Sequence, residues 1–220
     1  MIINDSYFIG EIYIPHAKSD VSDTVTGAKD ILDDFIEEYE SDCLLKSLGY
    51  SLNKLFQAEL DSNQTNGLKV TADAKWDDLL NGKEYSINGR TVYWKGIRYS
   101  NNNGITYKSF LANYVYFYYL KNEQSKFSNQ GTIKNTPSNA INVSSSPKAT
   151  SAWRRFIKHV QNGFGMPNFI QNRIGYGIDW YSQGNEINLY SFINDMNNLA
   201  PDTYPSFEPI IWDNLTEFGI

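Results

Sequence analysis

Cysteine and histidine, which often carry metal and nucleophilic chemistry, are scarce in this chain. Cys43 is the single cysteine among 220 residues, so no disulfide can form within the chain. His16 and His159 stand in no metal-ligand spacing such as HExxH, and one cysteine cannot build a cysteine-rich zinc site. A GxSxG motif, a Walker loop and a dinucleotide-binding fingerprint are also missing. We therefore expect a protein that is not an enzyme and that uses no cofactor and no metal.

Long apolar runs and an excess of positive charge are missing as well. No stretch reaches the ~18–20 apolar residues of a membrane span, and the start, MIINDSYFIGEIYIP, lacks the basic region of a secretory signal. The net charge is −6 and the isoelectric point is near 4.9. Proteins that bind nucleic acid usually carry the opposite charge, because they neutralise phosphates. We expect neither membrane association nor specific binding of DNA.

Aromatic and apolar residues are abundant, at 15% and 41% of the chain, which is enough for one domain with a real core. Apolar periodicity predicts helices over 28–48, 51–60, 105–123, 151–162 and 185–198, with a short helix in DAKWDDLLNG. Asn88 and Gly89, between alternating flanks, predict a hairpin over 84–95. The sequence therefore predicts a mainly α fold. Its parts are an N-terminal arm (1–26), a helical-bundle adaptor domain (27–200) with that hairpin and a long loop (124–150), and a C-terminal docking tail (201–220).

The segment SFLANYVYFYYLKN, at 109–122, is apolar or aromatic on every face of the predicted helix. Such a helix is normally buried all round. Two interpretations stay open: a central core helix, or a helix that packs inside its subunit with one face and on a neighbour with another. Tyrosine is enriched at interfaces, where one edge of the ring stays wet. Under the second interpretation, Tyr116 and Tyr119 belong to a subunit interface.

The predicted loop at 124–150 is rich in serine, asparagine and threonine, yet apolar residues interrupt it. A loop of this length in a compact domain is usually functional or disordered. Its apolar side chains would dock an extended segment onto a surface. The candidates for these contacts are Phe127, Ile141 and Val143.

The predicted tail at 201–220 is too apolar to remain in water, and its three prolines exclude a helix across it. Two arrangements stay open. The tail is either an extended strap on its own domain or a segment that docks on another protein. The residues predicted to make its contacts are Tyr204, Phe207, Ile210 and Trp212.

Charged clusters occur on two predicted helices. The acidic pairs Asp33-Asp34 and Glu37-Glu38 have a spacing that glycosidases use, but catalytic carboxyls need burial and these lie on a solvated face. We expect them to support solubility and the helix dipole and to repel DNA. The basic cluster in TSAWRRFIKHVQ is open to three interpretations: a solvated helix face, contact with an acidic neighbouring subunit, or contact with nucleic acid.

Five segments occur in a recognisable order: DDFIEEYESDCLLKSLGYSLNKLF, KWDDLLNGKEY with VYWKGI, SFLANYVYFYYL, NAINVSSSPKATSAWRRF and LYSFIN. Together they resemble a family of head-tail connector proteins, the neck ring or adaptor components of crAss-like and related Bacteroides tailed phages. The resemblance spans roughly residues 28–195. It implies a mainly helical adaptor whose copies form a ring, expected to be a dodecamer, on the portal protein or on adjacent neck and tail ring proteins. It also implies a virion protein made in the host cytoplasm, with DNA passing through the lumen without specific binding.

Two other functions compete with this one. Tyrosine and tryptophan beside acidic pairs also fit a monomeric carbohydrate-binding or glycan-processing domain, which would need a concave aromatic platform next to carboxylates. An assembly chaperone that is absent from the mature particle is the third hypothesis. The long loop and the tail favour a permanent component, because partners commonly order such segments.

Overall fold

Helices make up most of the structure. The computed structural model describes residues 1–15, 26–87, 89–100, 107–123, 126–128, 131–133, 146–161 and 185–212. Within these ranges the helices are α1 (Thr26–Leu48), α2 (Tyr50–Glu59), α3 (Ala74–Asn81), α4 (Phe110–Glu123), α5 (Ser146–Gln161) and α6 (Leu189–Leu199). The strands are β1 (Lys83–Ile87), β2 (Arg90–Trp94), β3 (Tyr99–Ser100), β4 (Tyr107–Lys108), β5 (Lys126–Ser128), β6 (Gly131–Ile133) and β7 (Glu186–Ile187). The predicted mainly α class is therefore confirmed, and the β content includes a small three-stranded sheet.

The aromatic helix α4 forms the centre of the core. It packs on α1 with one side and on α5 with another. The ring of Tyr114 shows how dense this packing is: its centre lies 4.9 Å from that of Phe156 and 5.5 Å from that of Trp212. Buried aromatic pairs of this kind stabilise a fold beyond the area that they bury. The buried residues of α4 are Phe110, Leu111, Ala112, Tyr114, Val115, Tyr116 and Phe117.

Helix α4 begins at Phe110, later than the predicted residue 105, because the residues before it form a strand. β4 pairs antiparallel with β3. Ser109 then ends the strand and caps the helix. Its hydroxyl accepts a hydrogen bond from the Leu111 N–H at 3.1 Å and donates one to the Ile97 carbonyl at 2.7 Å. Apolar periodicity alone does not locate such a cap, because apolar and aromatic residues occur on both sides of it.

The predicted hairpin is present as β1 and β2, which pair antiparallel with Tyr85 opposite Val92. Gly89 in its turn has a φ of +73°, a conformation that favours glycine. The third strand, β7, was not predicted. It pairs parallel with β2, so that Trp94 lies opposite Ile187. Because these residues are strand, the predicted helix over 185–198 is shorter, and α6 begins at Leu189.

The N-terminal segment, predicted as an arm, packs on the domain along residues 1–15. It contains two 3-10 turns, Asp5–Tyr7 and Gly10–Ile12, and not a strand. The buried carboxylate of Glu40 on α1 accepts hydrogen bonds from the backbone N–H groups of Ile2 and Ile3, at 2.8–2.9 Å. Burial raises the pKa of Glu40, while these hydrogen bonds oppose the shift. The segment is therefore held by its backbone as well as by its apolar side chains.

The described part of the predicted docking tail, 201–212, is a strap on its own domain. Asn197 at the end of α6 holds Tyr204 by two hydrogen bonds: its Oδ1 accepts from the Tyr204 N–H at 2.8 Å, and its Nδ2 donates to the Tyr204 carbonyl at 3.0 Å. Farther along, the Ile210 N–H donates to the Lys46 carbonyl at 3.0 Å. Both Tyr204 and Trp212 are buried. The strap therefore completes the core over this range; residues 213–220 lie outside the described part.

The corner between α1 and α2 depends on Gly49. Its φ is +81°, and a Cβ at this position would lie 2.8 Å from the backbone oxygen of Glu208 in the strap. The chain therefore needs a glycine here both for its conformation and for the close approach of the strap. Gly49 is the N-cap of α2, which begins at Tyr50, just before the predicted start at residue 51.

Other differences from the sequence predictions are local. The predicted loop at 124–150 contains the antiparallel pair β5–β6, and α5 begins at Ser146 and not at 151. Leu55 and Ile31, both expected on inward faces of their helices, are 46% and 43% exposed. Leu52, Phe56, Leu32 and Ile36, which the same periodicity places on those faces, are buried, because an amphipathic helix buries only its central stripe.

Candidate functional site

The residues predicted as an interface occupy different environments. Tyr116, Tyr204 and Trp212 are buried in the core of the subunit, and Tyr119 and Phe207 are half-buried. Burial by the subunit itself leaves the first three with little surface for a partner.

Three of the predicted contacts cannot be assigned an environment, since Ile141, Val143 and the side chain of Phe127 lie outside the described residues. The backbone of Phe127 is in β5. Ile210 in the strap is 43% exposed. Among the predicted contact residues that the structure describes, Ile210 exposes the largest fraction of its side chain.

Exposed apolar side chains occur where the strap meets the corner between α1 and α2. We define the corner patch as Leu45 at the end of α1, Tyr50 at the start of α2, and Ile210 and Ile211 in the strap. Their exposed fractions are 41%, 71%, 43% and 59%. The hydrogen bond from Ile210 to the carbonyl of Lys46 places the strap against the end of α1. Contiguous exposed apolar side chains on a domain commonly mark a binding surface.

Hydrogen bonds from α5 and α6 hold the part of the strap that carries Ile210 and Ile211. Gln161, the last residue of α5, contacts the backbone of Trp212 at both polar atoms of its carboxamide. The Trp212 indole N–H donates to the Tyr190 hydroxyl at 2.9 Å, and that hydroxyl donates to the Ile210 carbonyl at 2.7 Å. Because these hydrogen bonds fix the backbone of the strap from Ile210 to Trp212, Ile210 and Ile211 are each held in a fixed position.

A second candidate is a cleft of about 640 Å³ beside the N-terminal segment. The backbone of residues 7–12, the end of β2, the β4–α4 junction and α5 form its walls. We call it the cationic cleft, because the basic side chains in its lining are Lys95, Lys108, Arg155, Lys158 and His159.

Ion pairs organise part of the cationic cleft. Lys95 Nζ lies 2.6 Å from a carboxylate oxygen of Glu186 in β7, and His159 Nδ1 lies 3.8 Å from the other oxygen. Arg155 on α5 pairs with Glu11 in the N-terminal segment. The described lining thus contains four lysine and arginine side chains and one carboxylate, Glu11, while Glu186 pairs with Lys95 from outside the lining. The cleft carries an excess of positive charge although the whole chain has a charge of −6.

The cationic cleft does not present the features of a glycan site in its described lining. Of the aromatic residues that line it, Trp94, Phe110 and Tyr7 are at most 4% exposed. The fourth, Tyr99, is half-buried, and Lys95 Nζ lies 5.1 Å from the centre of its ring, so these residues do not form an open aromatic platform. The Ser109 hydroxyl is occupied by its cap and by the Ile97 carbonyl. What remains accessible is charge, and charge recognises an acidic partner.

A buried carboxyl lies near the sheet, away from either surface. Tyr85 in β1 donates a hydrogen bond to Asp195 Oδ2 at 2.8 Å, and Asp195 is fully buried on α6. Burial raises the pKa of Asp195 to about 6, while the hydrogen bond opposes the shift. Asp195 Oδ1 accepts no hydrogen bond from the described residues. The buried Asp195 carboxyl can titrate, and it is not among the residues that line the cationic cleft.

The described ranges contain neither a metal-binding cluster nor a helix that could span a membrane. No group of histidine, cysteine and acidic residues there has the geometry to hold a metal ion. Cys43 is buried, and burial raises the pKa of its thiol. None of the helices in those ranges combines the length and apolar character that a bilayer crossing requires.

The two surfaces could be found in the sequence only in part. Arg155 and Lys158 were identified as a basic cluster, but their neighbours Lys95 and Lys108 come from segments far away in the chain.

Comparisons with protein-family models, with curated proteins and with solved structures found no match to this chain. The resemblance to phage neck proteins therefore stays a prediction.

Proposed function

We propose that this protein is a structural subunit of a phage neck: a ring-forming head-tail connector that joins the portal to the tail and extends the DNA channel. The observation that carries the proposal is the corner patch. It is an exposed apolar surface held on a fixed strap, without catalytic groups beside it in the described residues. The order of the sequence segments that resemble neck proteins supports the same function.

The corner patch suits the contact with an adjacent ring. Apolar side chains at the centre of an interface gain free energy when water is removed, by roughly 25 cal/mol per Å² of apolar area. Fixed side chains lose little conformational entropy on binding, which raises affinity further. The portal, or the next ring of the neck, is the partner to which we assign this surface.

The charge of the chain suits a channel wall. Each copy carries −6, so a ring of twelve copies would present a strongly acidic body to the DNA that passes through it. Like charges repel, and DNA would slide along such a wall without sticking. A closed ring also gives every subunit neighbours on two flanks.

The test is the native mass of the purified protein, by light scattering, alone and with the portal protein of the same phage. We expect a complex with portal, and we expect the double variant Ile210→Ser/Ile211→Ser to lose it while its thermal unfolding stays like that of the wild type. The control is Val70→Ser/Leu199→Ser, which removes two apolar residues outside the patch that are 87% and 54% exposed.

Three outcomes would overturn this proposal or revise it. If the protein does not bind portal at any concentration, the connector function is excluded. Portal binding by the protein, combined with its absence from purified particles, would instead identify an assembly chaperone. Portal binding that the patch variant retains would move the contact elsewhere on the surface.

A further inference from the structure

The corner patch is built from two separate parts of the chain. Leu45 and Tyr50 lie at the corner between α1 and α2. Ile210 and Ile211 belong to the strap, which reaches the end of α1 through the hydrogen bond from the Ile210 N–H to the Lys46 carbonyl at 3.0 Å. The four side chains are therefore brought together only while the strap lies against this corner.

The hydroxyl of Tyr190 on α6 joins three elements at this point. It donates to the Ile210 carbonyl at 2.7 Å and accepts from the Trp212 indole N–H at 2.9 Å. It also forms a hydrogen bond with Ser47 on α1. Burial raises the pKa of the Tyr190 hydroxyl, so the group stays protonated at neutral pH and can donate. Together with the carbonyl of Lys46, this hydroxyl holds both backbone groups of Ile210.

The backbone of the strap contains two strained positions. Asp202 and Ser206, each directly after a proline, have φ angles of +62° and +55°. Residues other than glycine are disfavoured in this left-handed region, and they persist there only where the surrounding structure fixes them. The closed strap therefore depends on the side chains that anchor it, which include Asn197 and Tyr190.

We infer that the end of the strap, Ile210–Trp212, is a clasp that completes the corner patch when it is closed, and that the Tyr190 hydroxyl is its latch; this inference rests on the proposed function. An open clasp would leave Leu45 and Tyr50 in place and remove the other half of the patch. A partner that contacts both halves binds the closed form in preference, so that binding and closure are coupled. Portal binding would thus hold the clasp closed.

The latch can be tested in the free protein. Tyr190→Phe removes the hydroxyl and retains the ring, so the volume of the core is unchanged. The loss of its hydrogen bonds should raise the exchange rates of the Ile210 and Trp212 amide protons about tenfold. NMR measures these rates residue by residue. In the wild type both amides should exchange faster than those of α4, because they are released by local opening.

Tyr204→Phe is the matched control, since it removes another hydroxyl of a fully buried tyrosine that donates to a carbonyl, that of Lys75, at 2.6 Å. It should lower the stability of the whole domain and raise the exchange of α4, but leave the Ile210 and Trp212 amides unchanged. The latch is overturned if Tyr190→Phe leaves those two amides unchanged. It is also overturned if Tyr204→Phe raises their exchange equally, because the clasp would then open only when the domain unfolds.

The coupling to a partner is tested by adding the portal protein at about 100 times its dissociation constant. A ligand that binds only the closed form should then slow the exchange of Ile210 and Trp212 about a hundredfold. Hydrogen-exchange mass spectrometry of strap peptides measures this in the complex. The affinity itself is a poor measure, because a clasp that is mostly closed hardly changes the apparent dissociation constant.

Ile210→Ser/Ile211→Ser is the control for this second test, since it alters the side chains of the patch and leaves the backbone contacts of the clasp. Its exchange should not slow when portal is added. Portal that binds the wild type without slowing the exchange of Ile210 and Trp212 would overturn the coupling and leave the connector function standing. Failure of portal to bind would overturn the proposed function, whereas the exchange of Tyr190→Phe without portal decides the latch in either case.

Discussion

Gln161 and Trp212 are joined by a pair of hydrogen bonds in which one carboxamide contacts both polar groups of one backbone residue. The Trp212 N–H donates to Gln161 Oε1 at 2.6 Å, and Gln161 Nε2 donates to the Trp212 carbonyl. Asn197 binds Tyr204 in the same way. The strap is thus attached to α5 and α6 by two carboxamides, and its attachment can be tested at a single side chain.

Gln161→Ala should lower the free energy of unfolding by about 1–3 kcal/mol, because it leaves the N–H and C=O of Trp212 buried without partners. Urea unfolding measures the change. The control Gln57→Ala removes an exposed glutamine of α2 and should have almost no effect. Equal stability of the wild type and Gln161→Ala would show that the strap is not held at this point.

Gly49→Ala should destabilise the protein by more than about 1 kcal/mol, because alanine is strained at positive φ. The added Cβ would also meet the Glu208 carbonyl of the strap at 2.8 Å. Gly89→Ala provides the comparison: its φ is also positive, at +73°, but a Cβ there meets nothing within 4 Å. A thermal melt in which both variants lose equally would show that backbone strain alone matters at Gly49.

Asp195 should make the protein less stable as the pH rises from about 4 to 7. Its pKa is raised from 3.8 to about 6 in the folded state, so the folded protein holds this proton more tightly than the unfolded chain. The stabilisation is fully present below the unfolded pKa and is lost as the pH passes through the folded pKa, on the order of 3 kcal/mol at most.

The measurement for Asp195 is the stability difference between the wild type and Asp195→Asn across that pH range. The asparagine cannot titrate, so the wild type should lose ground against it as the pH rises. Other groups, including Glu40, are common to both proteins and cancel in the difference. A constant difference across the range would show that Asp195 titrates normally.

Replacing Tyr116 should lower the stability of the protein more than replacing Tyr119. Tyr116 is 3% exposed, and Tyr116→Ala should cost about 3–5 kcal/mol, as for other large buried aromatic residues. Tyr119 is half-buried and touches Phe35 at a ring distance of 5.6 Å, so Tyr119→Ala should cost less than half as much. Thermal unfolding combined with native mass checks this. A Tyr116 variant of unchanged stability that fails to assemble would return this residue to the interface.

Removal of residues 201–220 should unfold the domain, since it exposes the surfaces that Tyr204 and Trp212 cover. Near-ultraviolet circular dichroism would report the loss of fixed aromatic packing. Ile210→Ser/Ile211→Ser in the complete chain is the control, because it alters the same segment at exposed positions only. A truncated chain that keeps its near-ultraviolet spectrum would show that the strap is not part of the core.

The elements that sequence reasoning predicted well are those specified by local pattern. The face of α1 with Leu32 and Ile36 and the turn at Gly89 are of this kind. The starts of α4 and α6 were misplaced, because strand pairing and capping by Ser109 and Asn188 interrupt the apolar pattern. The cationic cleft could not be predicted as a unit, since segments distant in the chain meet there only after folding.

The strap also imposes an order on the making of this protein. Its contact with Gln161 spans 51 residues of chain, so a ribosome adding about 5–20 residues per second needs about 3–10 s between the two positions. During that interval Phe156 and Tyr114 lack the Trp212 ring against which both pack in the folded protein. The core of a newly made copy therefore closes only after the strap has been synthesised.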